Sequence, residues 1–486
     1  MTMRLTPSLS GFLARSRVLS IVILAALAPT DGLRAETIGG ALIKAYLNNP
    51  DVGQQRAAVR VADEDVPKAA AGYRPRLSAE ADVRALEAVD KQIPAVGRDA
   101  AAIARAIGFA VGPAPGLPKA QGFSLKVDQD LWNANRTANL IRRADSHVMA
   151  ARERLRNTEQ NVLLDGVAAY MDVMRDTAVL VLVRAHVHVL EEALREAKDR
   201  FTAGEVTQTG VAQVEERLAA ARASAFTAQS ILQASIAVYR RVIGEEPNHL
   251  DPAKPLKEKL PATLDEAIAI SQVEHPAIVA SLFGVDAAAL EVNVAESRLY
   301  PSAFAEGLVD RRYNAATEVA PTLPFTASAT VKTSVPIYDG GESYASIRQA
   351  KEQLGQQELQ ADLQREKVRA AVVSVWGRNQ NAAGLIDAAM SQVDAAEQVL
   401  KGVREEAKLG QRTTFDELNA EQLLLRARIQ LVSAQRDQIF SSYAVLSAIG
   451  RLSTTRLVLA VTPYDPAVHL KHVKDKWIGL GTPDGR

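Results

Sequence analysis

Two hydrophobic periods alternate along the chain, and the pattern is written twice. Around residues 73–86 the period is two: Leu77, Ala79 and Ala81 fall on one face, Arg76, Ser78, Glu80 and Asp82 on the other. Residues 122–132 repeat it, with Phe123, Leu125, Val127 and Leu131 set against Ser124, Lys126, Asp128 and Asp130. Alternation predicts strands with one apolar face. Two more strands are predicted at about 299–312 and 326–338. In the latter, Ala329, Val331, Val335 and Ile337 oppose Ser328, Thr330, Lys332 and Ser334. A membrane β-barrel requires this pattern, lipid outside and water inside, although a one-sided soluble sheet satisfies it too.

Between the strand pairs the period lengthens. Ile141, Val148, Leu155, Val162, Ala169, Val183, Leu190 and Ala197 recur every seven residues, with Asp176 the one break. The matching later column is Ile347, Leu354, Ala361, Val368, Val375, Ala382, Ala389, Ala396 and Val403. A sustained heptad predicts left-handed supercoiling. A second stripe, Leu164, Val167, Met171, Met174 and Val181, lies on the opposite side of the first helix. Such a helix has a neighbour on each side, as in a cylinder of helices or a solid bundle. Helices are predicted over 37–71, 135–202, 207–244, 341–408 and 413–450. The 135–202 helix would span about 100 Å and the shorter ones about half that, so two stacked end to end match it.

The pattern is an internal repeat. TIGGALIKAYLNNP at Thr37–Pro50 recurs as TLDEAIAISQVEHP at Thr263–Pro276, and Leu131-Trp132-Asn133 recurs as Ile337-Tyr338-Asp339. Repeats therefore cover 36–244 and 263–450, joined by a linker at 245–262 and followed by a tail at 451–486. Gly112, Pro113, Pro115, Gly116 and Pro118 mark a long loop between the first two strands. Residues 1–35 read as an export signal. Arg4, Arg15 and Arg17 accompany an apolar run from Val18 to Ala28, too short to span a bilayer, and Ala35 offers a cleavage point. No later segment reads as a membrane helix.

Composition narrows the chemistry. With 57 basic and 57 acidic residues the net charge is zero, which argues against nucleic acid as a main partner. The absence of cysteine excludes disulfides, thiol catalysis and zinc–thiolate sites. His186 and His188 point to different helix faces, while His469 and His472 read as solvated tail residues. Asp339-Gly340-Gly341 reads as a strand-to-helix turn rather than a phosphate loop, and no nucleophile motif is present. No catalytic residue, metal or cofactor is expected.

Four strands cannot close a barrel, since about eight are needed even for a filled interior. The chain must therefore oligomerise, and a trimer would supply twelve strands. Tyr73, Trp132, Tyr300 and Tyr338 fall at strand ends and suit an interfacial aromatic girdle. Lys126 and Lys332, at equivalent strand positions on the polar face, would line the lumen; a solvated sheet face is the alternative.

TIGGALIKAYLNNPDV, GYRPRLSAEADV, VPIYDGG, AYMDVMRD, TAGEVTQT and KLGQRTTFDEL together resemble the TolC family of outer-membrane export channels, over about residues 36–480. The tail VTPYDPAVHLKHVKDKWIGL looks like the alphaproteobacterial, type-I-secretion-like branch. The resemblance implies an α+β membrane protein. It would be a homotrimer whose 12-stranded outer-membrane β-barrel continues into a long periplasmic α-helical barrel of coiled coils. It also implies a periplasmic adaptor (membrane fusion protein) and an inner-membrane ABC or RND transporter as partners, with outer-membrane lipid around the barrel. Function would be that of an exit duct for efflux or type I secretion, opened at its periplasmic tips when partners dock. The competing class is a non-pore periplasmic adaptor or coiled-coil scaffold, which two matched hairpins and two strand pairs disfavour.

The resemblance also assigns residues. Asp416 matches the first of two acids that ring the closed aperture, and Asn419 stands where the second is expected. Arg412 matches an Arg that latches the helices, and Thr209 its hydrogen-bond partner. Gly210 and Ala407 replace the acid and tyrosine that pair in the family's best-known member, which implies a looser or differently held closed state. Gly204, Glu205, Val206, Gly410 and Gln411 match tips that dock the adaptor. Thr413-x-x-Asp416 also has the spacing of a helix-start capping box.

Overall fold

The computed structural model describes residues 35–85, 119–313 and 325–482. The predicted export signal, Ala35 apart, and the Gly112–Pro118 loop lie outside the described residues. The described elements are α1 (Ile38–Asn48), α2 (Pro50–Asp63), α3 (Asp65–Ala70), β1 (Arg76–Ala85), β2 (Lys119–Trp132), α4 (Arg136–Thr202) and α5 (Gln208–Ile243). The second half gives α6 (Leu264–Glu274), α7 (Pro276–Glu296), β3 (Ser302–Tyr313), β4 (Phe325–Ser334), α8 (Glu342–Lys408) and α9 (Thr414–Ala448). Two short tail helices follow, α10 (Thr454–Leu457) and α11 (Ala467–Val473).

The opening helix predicted over 37–71 is three helices. Pro50 has no N–H to extend α1, and Asn49 instead caps α2, accepting from the Asp51 N–H at 2.8 Å. Pro67 likewise cannot donate to Asp63, so the chain breaks at Glu64. The second repeat breaks at the matching place, where His275 Nδ1 accepts from the Ala277 N–H at 3.2 Å ahead of Pro276. Burial and nearby Arg156 push the His275 imidazole down to about 4, so the cap works in the neutral form. Because the folded pKa lies below the unfolded one, stability is full above about pH 6.5 and falls as pH drops toward about 4. His275→Asn, which borrows the first repeat's cap, is expected to remove roughly 3 kcal/mol of acid destabilisation by that linkage. Thermal melts at pH 7 and pH 4.5 check this; equal acid sensitivity in both proteins would refute it.

The four strands form one antiparallel sheet in the order β1-β2-β3-β4. Pairing Leu77 with Val127, Leu125 with Val309 and Ala305 with Val331 gives one mainly apolar face, interrupted by Arg311 between Phe123 and Phe325 and by Gln129 beside Ala305. On it Leu77, Phe123 and Val331 are 68%, 49% and 67% exposed, so none of the described residues covers that face. β4 stops at Ser334 rather than at 338, because Pro336 cannot donate to a ladder. Val335, Ile337 and Tyr338 therefore lie beyond it.

Both strand pairs feed the long helices through the same backbone. Ala134 and Asn135 have φ of +50° and +61°; their counterparts Gly340 and Gly341 have +73° and +92°. Asp339 caps α8, accepting from the Ser343 N–H at 2.9 Å. α4 and α8 each hold 67 residues, about 100 Å of helix.

Four helices lie side by side at each level: α1–α3, α4, α7 and α8 near the sheet, then α5, α4, α9 and α8 toward the far end. The main core sits where the stacks join. Leu42, Leu163, Val167, Tyr170, Tyr239, Ile243, Ile278 and Ile449 are almost fully buried there. Each apolar side chain so buried contributes about 1.5–3 kcal/mol. Asp176, the heptad break, is buried too, its carboxylate 2.8 Å from Arg175 Nε. The 245–262 linker is pinned by a parallel bridge between Glu36 and Leu250.

Two further expectations are corrected. His469 is not solvated: α11 packs on α2, and His469, 7% exposed, places Nδ1 3.2 Å from the fully buried Asp63. His472 is exposed, as the tail reading had it. The stretch Leu264–Leu299 is long and apolar enough for a membrane helix. It is broken at His275; α7 packs on α4 and α8, and α6 on α8.

Candidate functional site at the helical tips

The two hairpin turns share one geometry. Gly204 and Gly410 both have φ of +77°. Glu205 N–H bonds to the Arg200 carbonyl at 2.9 Å, and Gln411 N–H to the Glu406 carbonyl at 2.9 Å. This six-residue closure needs a left-handed residue, which glycine supplies without strain. Gly204, Glu205, Gly410 and Gln411 are exposed, and Val206 is half-buried. Thr207 and Thr413 then start the returning helices as N-caps.

At the second tip, Asp416 completes a capping box. Its Oδ2 accepts from the Thr413 backbone at 3.0 Å and from the Thr413 hydroxyl at 2.8 Å. The Thr413 backbone first, then its hydroxyl, hold the Asp416 carboxyl below the usual carboxylate range. It stays charged near neutral pH while remaining open to solvent. Arg412 Nε lies 2.8 Å from Glu406 Oε2 in its own turn. Thr209 is exposed on α5, and the Arg412 guanidinium is joined to Glu406 rather than to it.

Near the tips, one link between hairpins is a residue that sequence reading passes over. Arg217 on α5 donates to Gln422 Oε1 at 2.8 Å and to Asn419 Oδ1 at 3.1 Å on α9. Its guanidinium also sits 5.3 Å from the Phe415 ring centre. Asn419 is thus engaged from the neighbouring hairpin. Beneath the clamp, Leu190, Val214, Leu218 and Leu418 form a separate buried cluster drawn from α4, α5 and α9. Arg404 joins α8 to α9 through Glu417, at 2.9 Å, and Glu421. Burial raises the Glu421 carboxyl.

The repeat extends to ion pairs. Arg222–Glu191 braces the first hairpin and Arg428–Glu397 the second, both at 2.7 Å. Arg217 breaks that symmetry, since its counterpart 206 positions on is Leu423. A cationic residue without a partner copy was the available signal.

At the sheet end, Lys126 and Lys332 converge on the polar face. Glu306, on β3 between them, lies 3.2 Å from Lys126 Nζ and 3.0 Å from Lys332 Nζ. Lys126 also reaches Asp128 at 3.0 Å. Tyr73, Trp132, Tyr300 and Tyr338 are all exposed, and they flank the helix-facing end of the sheet. No cluster of potential metal ligands occurs among the described residues.

A family model described as Outer membrane efflux protein matches residues 42–245 and 267–451. The chain belongs to this family. Outer membrane efflux protein BepC of Brucella suis biovar 1 is 37% identical over 93% of both chains. Alkaline protease secretion protein AprF of Pseudomonas aeruginosa is 23% identical over 65% of this chain and 66% of its own. Among solved structures, the CmeC outer membrane channel of Campylobacter jejuni superposes with a TM-score of 0.72. It shares 15% identity and covers 90% of this chain and 89% of its own.

Family members are outer-membrane channel proteins that serve efflux and secretion, and this chain is one of them. It resides in the outer membrane and acts as an exit duct. The matched segments fall on the two repeats. The rival expectation of a non-pore adaptor or scaffold is set aside by this membership.

Proposed function

We propose that three copies of the chain close into one duct whose periplasmic end is held shut by the hairpin tips. The carrying observation is the open four-stranded sheet. Among the described residues β1 and β4 have no further strand at their outer edges and nothing covers the apolar face, while the polar face carries the Lys126–Glu306–Lys332 ladder. Membrane sheets without a closed edge leave backbone groups unsatisfied in lipid, so the strands must pair with other copies. The helices have free edges too. Leu359, Leu385 and Val399 on α8, and Phe226 and Ile231 on α5, are 47–73% exposed. In a ring, α8 of one copy meets α5 and α1–α3 of the next.

Lys126 and Lys332 then line the lumen, and the four aromatic residues mark the periplasmic membrane boundary. The turns at Gly204 to Val206 and at Gly410 and Gln411 receive a periplasmic adaptor. An inner-membrane ABC or RND transporter supplies the driving force, and this chain contributes a passive path. Asp416 forms a three-carboxylate ring at the narrow end, which favours cations over anions.

Planar-bilayer recording tests the reading. The mature protein is expected to form channels with a modest cation preference, and Asp416→Asn is expected to move the reversal potential toward zero. Absence of conductance both in the parent and in Arg217→Ala, which lacks a contact between the hairpin tips, would refute the duct. Unchanged selectivity in Asp416→Asn would remove Asp416 from the aperture.

A further inference from the structure

The tail returns toward the sheet, where its last described residues form a closed apolar turn. Tyr464 N–H donates to the Tyr46 hydroxyl at 3.0 Å, and α11 docks on α2 through His469 and Asp63. The chain then reaches Arg74, two residues before β1. Arg74 Nη1 donates to the Lys476 carbonyl at 2.9 Å, and its guanidinium lies 4.9 Å from the Trp477 ring centre. Gly479, with φ of +119°, turns the backbone, and Lys476 Nζ closes the turn on the Gly481 carbonyl at 2.5 Å. The turn displays Trp477, Ile478 and Leu480 at 67%, 90% and 102% exposure.

Pinning an apolar turn in water gains nothing, because the side chains bury no surface there. Its level in the fold identifies what covers it. Arg74 is adjacent to Tyr73, and Tyr73 belongs to the aromatic set at the helix-facing end of the sheet. Headgroup layers extend several ångströms beyond the hydrocarbon, so a residue stacked on Arg74 lies within reach of them. Trp favours that interface. The flanking charges agree, since Lys471, Lys474 and Lys476 outnumber Asp475 over residues 471–482, which suits anionic phospholipid.

We propose that the Trp477–Leu480 turn inserts into the periplasmic-leaflet interface of the outer membrane as an anchor outside the barrel. The proposal rests on the outer-membrane orientation given above. Three anchors per trimer would fix the depth and tilt of the helical barrel while the tips move.

The chain's lack of cysteine makes the test direct. Ile478→Cys, Val331→Cys and Leu409→Cys, all at exposed positions, are nitroxide-labelled singly on the full-length protein in vesicles of phosphatidylethanolamine and phosphatidylglycerol. Collision rates with oxygen and with a water-soluble nickel chelate are then measured. Position 478 is expected to favour oxygen severalfold, as 331 on the apolar sheet face should, while 409 at the tip favours the chelate. If 331 favours oxygen but 478 favours the chelate, the anchor is wrong and the barrel stands. Shielding of 478 from both reagents would place it against another copy and also overturn the anchor. Preference for the chelate at 331 would overturn the barrel orientation itself.

Discussion

Channels carrying Arg217→Ala are expected to open without a docked partner far more often than the parent. The Arg217 guanidinium makes two charge-assisted hydrogen bonds, to Asn419 and Gln422, and stacks over Phe415, so it bridges α5 and α9 near the tips. Losing such bonds costs about 2 kcal/mol, which is roughly a thirtyfold change in a two-state equilibrium. Because the contacts join separate hairpins, their loss loosens one hairpin from the other at the tips, while each keeps its own brace and the Leu190–Leu418 cluster and the Arg436–Asp172 pair still join them. Arg217→Lys keeps the charge but cannot reach both amides in one plane, so an intermediate effect is expected. Single-channel recording gives the open probability. An alanine variant indistinguishable from the parent would show that the clamp does not hold the closed state.

Gly450→Ala is expected to give the largest loss of stability. Gly450 closes α9 with φ of +81°, and an added Cβ would stand 2.7 Å from His275 Cα and 2.9 Å from the Glu274 carbonyl oxygen. Both are backbone atoms, so neither can step aside as a flexible side chain would. Left-handed strain and overpacking each cost on the order of 1–3 kcal/mol, together about 4 kcal/mol. Gly410→Ala is the control. Its φ is +77°, but nothing lies within 4 Å of the new Cβ. Strain alone remains there, about 1–2 kcal/mol. Denaturant titration of the detergent-solubilised proteins should therefore rank the variants parent, Gly410→Ala, Gly450→Ala. Equal losses at both glycines would mean that the joint between α9 and α6 yields, and that the core belt is less rigid than its packing implies.

How far the amino-acid pattern reads through to this structure follows from the range of each interaction. Heptads such as Ile141 to Ala197 are local, and a helix is the only regular structure that puts them on one face, so α4 and α8 were legible nearly to the residue. The strands were legible for the same reason, with β4 overextended because the alternation of Val335 and Ile337 continues past Pro336, where the ladder cannot. The single opening helix failed at Asn49 and Glu64, where proline removes one donor. The tip turns were legible because glycine, threonine and aspartate act within six residues of one another. What stayed hidden was non-local. Arg217 and Asn419 are separated by 202 positions, and neither residue type is unusual on a helix surface. Glu306 is one charge in a strand whose alternation is weak, flanked on its own face by Phe304 and Leu308, and only the pairing of β2, β3 and β4 brings it between two lysines. His469 read as a tail residue because its partner, Asp63, lies 406 positions away.

The central claim is that three copies make one hollow conduit through the outer membrane. Electron microscopy of the detergent-extracted mature protein tests it most directly. The account predicts a threefold cylinder, open along its axis, with about 100 Å of helical wall and a β-barrel of twelve strands at one end. A solid rod, or a monomer that stays in solution without detergent, would contradict it.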